Sequence, residues 1–309
     1  MNINDWTHAA VQTLRLVDIP MARLDALVLL EDRLGKDRGW VLAHPEYEIS
    51  DDDKNVLDGL VARRARHVPL AQLRGHAEFY GREFVISAAV LQPRPESEAM
   101  IEALLKIVSE RPNWPVVSKQ AINGTQPINL KNAPSVAPKS DPNAVFGPRI
   151  ADVGAGSGAL GITAQLEVPE ASVDLLEIDD DAIQIAKVNV INHTTGTRII
   201  KSDLLAQSPK DYDILLCNLP YVPDDYKINE AAKYEPAIAL FGGPDGLDLF
   251  RKLFAQIKIV EKKPLYILFE SFPVQQPDLQ RLAAAHGYSQ QTTDDFISVF
   301  YLASALNTL

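Results

Sequence analysis

Two stretches of the chain combine residue types that could do chemistry. In the first, Asp152-Val153-Gly154-Ala155-Gly156-Ser157-Gly158, a short apolar run ends on a carboxylate and passes into glycines. Glycines let the main chain turn at positive φ and approach a ligand closely. A strand that ends this way and opens a helix therefore predicts a ligand site at the carboxyl edge of a sheet. Gly156, Gly158 and Gly161 also satisfy G-x-G-x-x-G, with Glu177 downstream at the end of the next apolar run. A carboxylate there can accept hydrogen bonds from ribose hydroxyls, which suits a nicotinamide dinucleotide and S-adenosylmethionine equally. Asp203 is placed either to accept from an adenine amino group or to cap a helix that starts at Leu204.

The second stretch, Asn218-Leu219-Pro220-Tyr221, follows the apolar run Ile214-Leu215-Leu216-Cys217 and discriminates between those ligands. Methyl transfer to nitrogen is an in-line displacement, so the acceptor nitrogen must aim its lone pair at the methyl carbon while its N–H groups are held. The Asn218 side-chain oxygen and the Leu219 carbonyl can accept those two hydrogen bonds and help a planar NH2 group pyramidalise. Pro220 stiffens the loop, and Tyr221 offers a ring face to a planar acceptor. A hydride-transfer enzyme has no use for such a motif at this place.

Other chemistries are weakly represented. The six histidines, from His8 to His286, show no metal-ligand spacing, so no metal is expected. Cys217 is the single cysteine and reads as a buried small hydrophobe rather than a nucleophile, which also excludes an intrachain disulfide framework. Arg63, Arg64, Arg66 and His67 form a basic cluster that reads as a solvated helix face or a docking patch. Phe79, Tyr80 and Phe84 face either a substrate tunnel or the core.

The elements that must position these residues are legible from periodicity. Apolar residues recur at helical spacing from Asn4 to His67, as in Trp6, Ala9, Ala10, Thr13 and Leu14, then Leu24, Leu27, Val28, Leu30 and Leu34. Breaks fall at Asp18-Ile19-Pro20, Leu34-Gly35 and His44-Pro45, and Ser50 with three following aspartates is a helix start. A hairpin is predicted around Gly81 and a helix over 96–108. Between Pro112 and Pro148, seven prolines and no periodicity predict a disordered insertion. Beyond Arg149, strands are expected near 149–153, 172–177, 197–201, 212–218, 264–270 and 296–302. Helices are expected at 158–167, 180–192, 246–260 and 274–286. Such alternation predicts a mostly parallel α/β sheet with an antiparallel end, and Gln290 to Asp295 as a polar linker.

Composition narrows the class. The 30 Lys and Arg against 41 Asp and Glu give a net charge of −11, a field that repels phosphate backbones and disfavours a nucleic-acid partner. No run of about 18 apolar residues offers a membrane span. The first residues lack the apolar core of a signal peptide, and a cytoplasmic protein is expected.

Taken together, these motifs resemble the peptide chain release factor N5-glutamine methyltransferases of the HemK and PrmC type. Arg23-Leu24-Asp25-Ala26 and Leu42-Ala43-His44-Pro45-Glu46 resemble the family's helical domain. Pro69-Leu70-Ala71-Gln72-Leu73-Arg74-Gly75 and Glu78-Phe79-Tyr80-Gly81 resemble its linker hairpin, and Pro93-Arg94-Pro95-Glu96-Ser97-Glu98 its P-R-P-E-T-E segment. Tyr234 to Leu240 and Gly243 to Leu247 are similar to the stretch beyond the catalytic motif. The resemblance implies a class I methyltransferase with a Rossmann-like seven-stranded sheet. Its expected domains are a substrate-recognition domain over 1–75, a hairpin linker over 76–92 and a methyltransferase domain over 93–309.

It further implies that S-adenosylmethionine lies over Asp152, Gly154, Ala155, Gly156, Ser157 and Gly158, with Glu177, Asp203 and Asn218. Asn218, Leu219, Pro220 and Tyr221 would hold the glutamine of a Gly-Gly-Gln tripeptide in a class 1 release factor, for a monomeric enzyme. The chain departs from the family in four places, one of them the insertion over 112–148, longer than the family's usual connection. Leu219 replaces the first proline of N-P-P-Y, so a looser loop is expected. Glu270-Ser271-Phe272 stands where the family has E-H-G or E-x-G, and no arginine-containing turn precedes the last strand. Since N-L-P-Y is also the wording of adenine-N6 methyltransferases, adenine in RNA or DNA stays open as an alternative acceptor.

Overall fold

The computed structural model describes residues 1–111, 114, 117–118, 144–145, 147–209 and 211–308. The chain divides into two units, Met1–Ala77 with Ile86–Ala88 and Lys227–Glu235, and Glu78–Val85 with Ala89–Tyr226 and Pro236–Leu309.

The first unit carries α1 (Ile3–Arg15), α2 (Ala22–Leu34), α3 (Arg38–Ala43), α4 (Asp51–Arg64) and α5 (Leu70–Arg74). Ser50 caps α4 by accepting from the Asp53 N–H, and three aspartates in the first turn complement the helix dipole. Gly35 ends α2 at φ 61°, a left-handed position that a Cβ would strain. On α1 the buried stripe is Ile3, Trp6, Ala10 and Leu14, whereas Ala9 and Thr13 are exposed, because one stripe of a short helix suffices to meet α2. Arg64 of the basic cluster is internal to this unit. It pairs with buried Asp25 at 2.7 Å and donates to the Val68 carbonyl.

In the second unit, the predicted hairpin forms from β1 (His76–Phe79) and β2 (Arg82–Val85), although β1 begins within the first unit. Tyr80 and Gly81 both take positive φ at its turn. Helix α6 (Glu98–Glu110) follows. The expected disordered insertion falls largely outside the described residues. Within it, β3 (Val117–Ser118) pairs antiparallel with β4 (Ala144–Val145).

Thereafter strands and helices alternate: β5 (Arg149–Val153), α7 (Ala159–Glu167), β6 (Ser172–Glu177), α8 (Asp180–Asn192), β7 (Arg198–Lys201) and β8 (Ile214–Cys217). After these come α9 (Ala237–Leu240), α10 (Asp248–Lys258), β9 (Tyr266–Glu270), α11 (Gln276–Ala285), β10 (Tyr288–Asp294) and β11 (Ile297–Leu302). They build a seven-stranded sheet in the order β10-β11-β9-β8-β5-β6-β7. β7, β6, β5, β8 and β9 run parallel, and β11 and β10 close the sheet antiparallel.

The central strands are buried on both faces, which is why their sequences read as continuous apolar runs. Ile150, Ile214 and Leu216 enter the core shared with α6, while Ala151, Leu215 and Cys217 enter the one shared with α10. The expected polar linker over 290–295 is mostly strand instead. β10 is an edge strand paired only to β11, and its residues beyond Gln290 are exposed, so no apolar alternation marks it. Among the described residues no helix is long and apolar enough to cross a membrane.

Candidate active site

β5 lies between β6 and β8, so the order of the chain reverses there, and ligands of open α/β sheets bind at such a point beyond the carboxyl ends of the strands. The two chemically loaded stretches leave the sheet side by side, with Asp152 opposite Leu216 in the ladder.

Main-chain groups hold the first stretch. The Gly154 and Ala155 N–H groups donate to the Leu176 carbonyl at 2.8 and 3.1 Å, and the Gly156 N–H donates to Glu177 Oε2 at 2.8 Å. Glu177 Oε1 accepts from the Ile178 and Asp179 N–H groups. Gly156 sits at φ 55°, and nothing lies within 4 Å of the place its Cβ would take, so the main chain is open to a ligand there. Gly158 is different. It does not line the cavity described next, contrary to expectation, and a Cβ on it would fall 2.8 Å from Leu175, so this glycine serves the packing of α7 on the sheet.

Above the loop is a cavity of about 270 Å³. Its lining includes Gly154, Ala155, Gly156 and Ser157 of the loop, Glu177 and Asp203, and Asn218 with Leu219 and Pro220. Asp152 reaches it from below while almost wholly buried. Burial pushes the Asp152 carboxyl up to about 7, against the Gly161 N–H bond that favours the carboxylate, and the charge on Glu177 adds to the rise. Asp203 does not cap a helix, because Leu204 takes φ 53° and the chain turns. Its carboxylate pairs with Lys252 at 2.5 Å on the cavity rim. Three carboxylates and an open glycine cradle fit a cationic ligand rich in N–H and O–H donors, as S-adenosylmethionine is.

Side chains hold the second stretch. Asn218, half-buried, donates from Nδ2 to Ser97 Oγ at 2.9 Å and to Glu270 Oε2 at 3.0 Å. Ser97 in turn donates to the same Glu270 oxygen at 2.5 Å, and the Tyr221 hydroxyl donates to Glu270 Oε1 at 3.0 Å. Burial raises the Glu270 carboxyl above its ordinary value, opposed by the Ser97 and Tyr221 hydrogen bonds. Tyr221 does not line the cavity as expected of a ring that covers the acceptor. Its ring meets Phe272 edge-on at 5.0 Å, and its hydroxyl serves Glu270.

Leu219 has packing of its own. It is buried in the second core, with Cδ2 3.3 Å from where a Gly154 Cβ would be. Gln275 Nε2 fixes the loop from behind by donating to the Tyr221 and Asp245 carbonyls. A Cβ on Gly242 or Gly246 would collide with the Pro220 or Tyr221 carbonyl, which explains the glycines of that stretch. Cys217 is fully buried, its thiol pushed up by desolvation. Phe79 touches both core and cavity, Phe84 is core, and the Tyr80 hydroxyl donates to Glu102.

Sequence reasoning missed Ser97, Glu270, Gln275 and Lys252 as parts of this site. A signal existed for Glu270 alone: it is a carboxylate ending a strand next to the one that ends at Asn218.

Comparison with known proteins places the chain among methyltransferases. The family model for the PrmC N-terminal domain matches residues 5–75, and that for the methyltransferase small domain matches 140–234. A release factor glutamine methyltransferase of Koribacter versatilis is 31% identical over 262 residues, covering 83% of this chain and 81% of that protein. One from Coxiella burnetii is 29% identical over 294 residues and covers 94% of each. The chain spans about half of a bifunctional methyltransferase of Rickettsia bellii, 51% of its length at 29% identity. Among solved structures, the human Mettl16 catalytic domain in complex with an RNA hairpin superposes with a TM-score of 0.50 over 82% of each chain at 12% identity, a likeness of fold alone. On this similarity over most of its length, the chain belongs to the release factor glutamine methyltransferase family, whose members use S-adenosylmethionine as methyl donor.

Proposed function

We propose that the chain methylates N5 of the glutamine in the Gly-Gly-Gln tripeptide of class 1 peptide chain release factors. The observation that carries this reading is the state of Asn218. Its amide nitrogen donates towards Ser97 Oγ and Glu270 Oε2, its Oδ1 accepts from none of the described residues, and Asn218 lines the cavity.

S-adenosylmethionine, when bound, supplies a methyl carbon on positively charged sulfur and leaves as a neutral thioether. Asp152, Glu177 and Asp203 would hold it, with Gly154, Ala155, Gly156 and Ser157 beneath. Asn218 Oδ1 accepts one N–H of the substrate amide and the Leu219 carbonyl the other, so the nitrogen lone pair is aimed while both hydrogens are held. The new N–C bond leaves an extra proton on nitrogen. That proton becomes strongly acidic on transfer and departs to water, so no side-chain base is required. Pro220 keeps the Leu219 carbonyl in place.

In this reading the helical unit grips the release factor. The net charge of −11 suits a partner whose own surfaces are basic and disfavours a nucleic-acid acceptor. The enzyme would act as a cytoplasmic monomer, without membrane attachment. The test is transfer from labelled S-adenosylmethionine to a purified release factor, with RNA and DNA as parallel acceptors. Label confined to adenine would favour the other meaning of N-L-P-Y and overturn the proposal.

A further inference from the structure

An asparagine amide can present either its oxygen or its NH2 to a ligand, and the two orientations differ by a half-turn about one bond. For an NH2 acceptor only one of them works, since the other sets donor against donor. The surroundings of Asn218 settle the choice. A carboxylate can only accept, so the atom of Asn218 facing Glu270 must be the donating nitrogen. The Ser97 hydroxyl spends its single hydrogen on the same carboxylate, which leaves only lone pairs for Asn218, and again the facing atom must be nitrogen. A half-turn would place the Asn218 oxygen against the carboxylate and the Ser97 lone pairs at once. Tyr221 holds the second Glu270 oxygen and so fixes the carboxylate itself.

We propose that Glu270 and Ser97 are positioning residues that lock the Asn218 amide with its oxygen toward the acceptor, making the site an acceptor-only cradle selective for an NH2 group. This rests on the proposed glutamine reading for the substrate but not for the lock itself, which exists in the free enzyme. It also gives a reason for a substrate choice. A glutamate side chain, bearing no N–H, would meet only oxygen acceptors and be rejected. Ser97 occupies the threonine position of the family's P-R-P-E-T-E segment, and a threonine hydroxyl can do the same work.

The experiment uses the full chain with asparagine side chains labelled in 15N, the Asn218 signals being assigned by their loss in Asn218→Ser. Hydrogen exchange of the Asn218 amide is measured without substrate, and kcat, KM and cofactor affinity are measured with S-adenosylmethionine and release factor. The lock predicts a protected Asn218 amide in the wild type and loss of that protection in Glu270→Met. In the same variant kcat should fall on the order of 100-fold while cofactor affinity holds within a few-fold. Ser97→Ala should lower kcat about tenfold and Ser97→Thr recover most of the loss. Should Glu270→Met fail to fold, the Ser97 pair and the wild-type exchange decide.

An unprotected Asn218 amide in an active wild type, a Glu270→Met enzyme with undiminished kcat, or equal losses in Ser97→Ala and Ser97→Thr would each overturn the lock. A protected amide in a wild type that labels no glutamine would instead refute the substrate reading and leave the lock standing.

Discussion

The two halves of the site are built by different means. The cofactor end is a main-chain structure. Its loop is pinned by N–H groups of Gly154, Ala155 and Gly156, and its glycines matter for where the backbone can go. The acceptor end is a side-chain structure. Asn218 is set by Ser97, 121 residues away in the chain, and by Glu270, 52 residues away. A backbone cradle can serve any methyl acceptor, whereas a side-chain network encodes one. On the proposed reading, generic affinity resides in the first half and substrate chemistry in the second.

That division can be broken most forcefully at Asn218. Asn218→Ala should lower methyl transfer about 1,000-fold while cofactor affinity, measured by calorimetry, stays within a few-fold. Next in size, Glu177→Ala removes the carboxylate that accepts three main-chain N–H groups. It should weaken cofactor binding roughly 10- to 100-fold, with most of kcat restored at saturating cofactor. Opposite outcomes, binding lost at Asn218 or turnover lost at Glu177, would merge the two halves.

A pH series sharpens the contrast with an effect of about tenfold per unit on the acid limb. Glu270 holds Asn218 most strongly when ionised, with both oxygens acceptors only, and its carboxyl is raised above the ordinary 4.5 by burial and by Glu96, with Arg94 opposing. Turnover should therefore climb as pH rises through that raised value, and Glu270→Gln should flatten the limb. Stability carries the opposite sign. A carboxyl raised on folding contributes stability that is complete below its unfolded pKa and is lost as pH rises through its folded one. Glu270→Gln should accordingly gain thermal stability relative to wild type as pH goes from acid to neutral. Asp152, raised to about 7, follows the same sign, and a cationic ligand beside it should release protons on binding near neutral pH. The smallest effect is expected at the rim. Lys252→Ala frees Asp203 from an ion pair with both partners well exposed, so cofactor affinity should change by less than about fivefold.

What could be read from the sequence follows the same division. The glycine loop, Glu177 and the Asn218 loop were legible because each is a local pattern of residue types next to an apolar run. The central strands were legible because burial on both faces leaves no polar residue to interrupt them. β10 was not, because an exposed edge strand takes its register from a hairpin partner and needs no apolar face of its own. The packing of Gly158 against Leu175 and the bond from the Tyr221 hydroxyl to Glu270 were not legible, because only the side-chain environment reveals them. The packing of Leu219 was equally hidden in the sequence. A leucine in place of a proline ring finds its own packing against Gly154 and the second core. Glu270 left a faint signal as a carboxylate ending a strand, but its partnership with Ser97 and Asn218 arises only when the sheet brings three distant segments together.

We propose that this site presents oxygen acceptors to a glutamine amide beside a methyl donor. The most direct test is incubation of the enzyme with labelled S-adenosylmethionine and a purified release factor, followed by peptide mass spectrometry. The account predicts a single methyl group on the glutamine of the Gly-Gly-Gln tripeptide, and none when that residue is replaced by glutamate. Label on another residue, or only on adenine in the parallel nucleic-acid reactions, would contradict it.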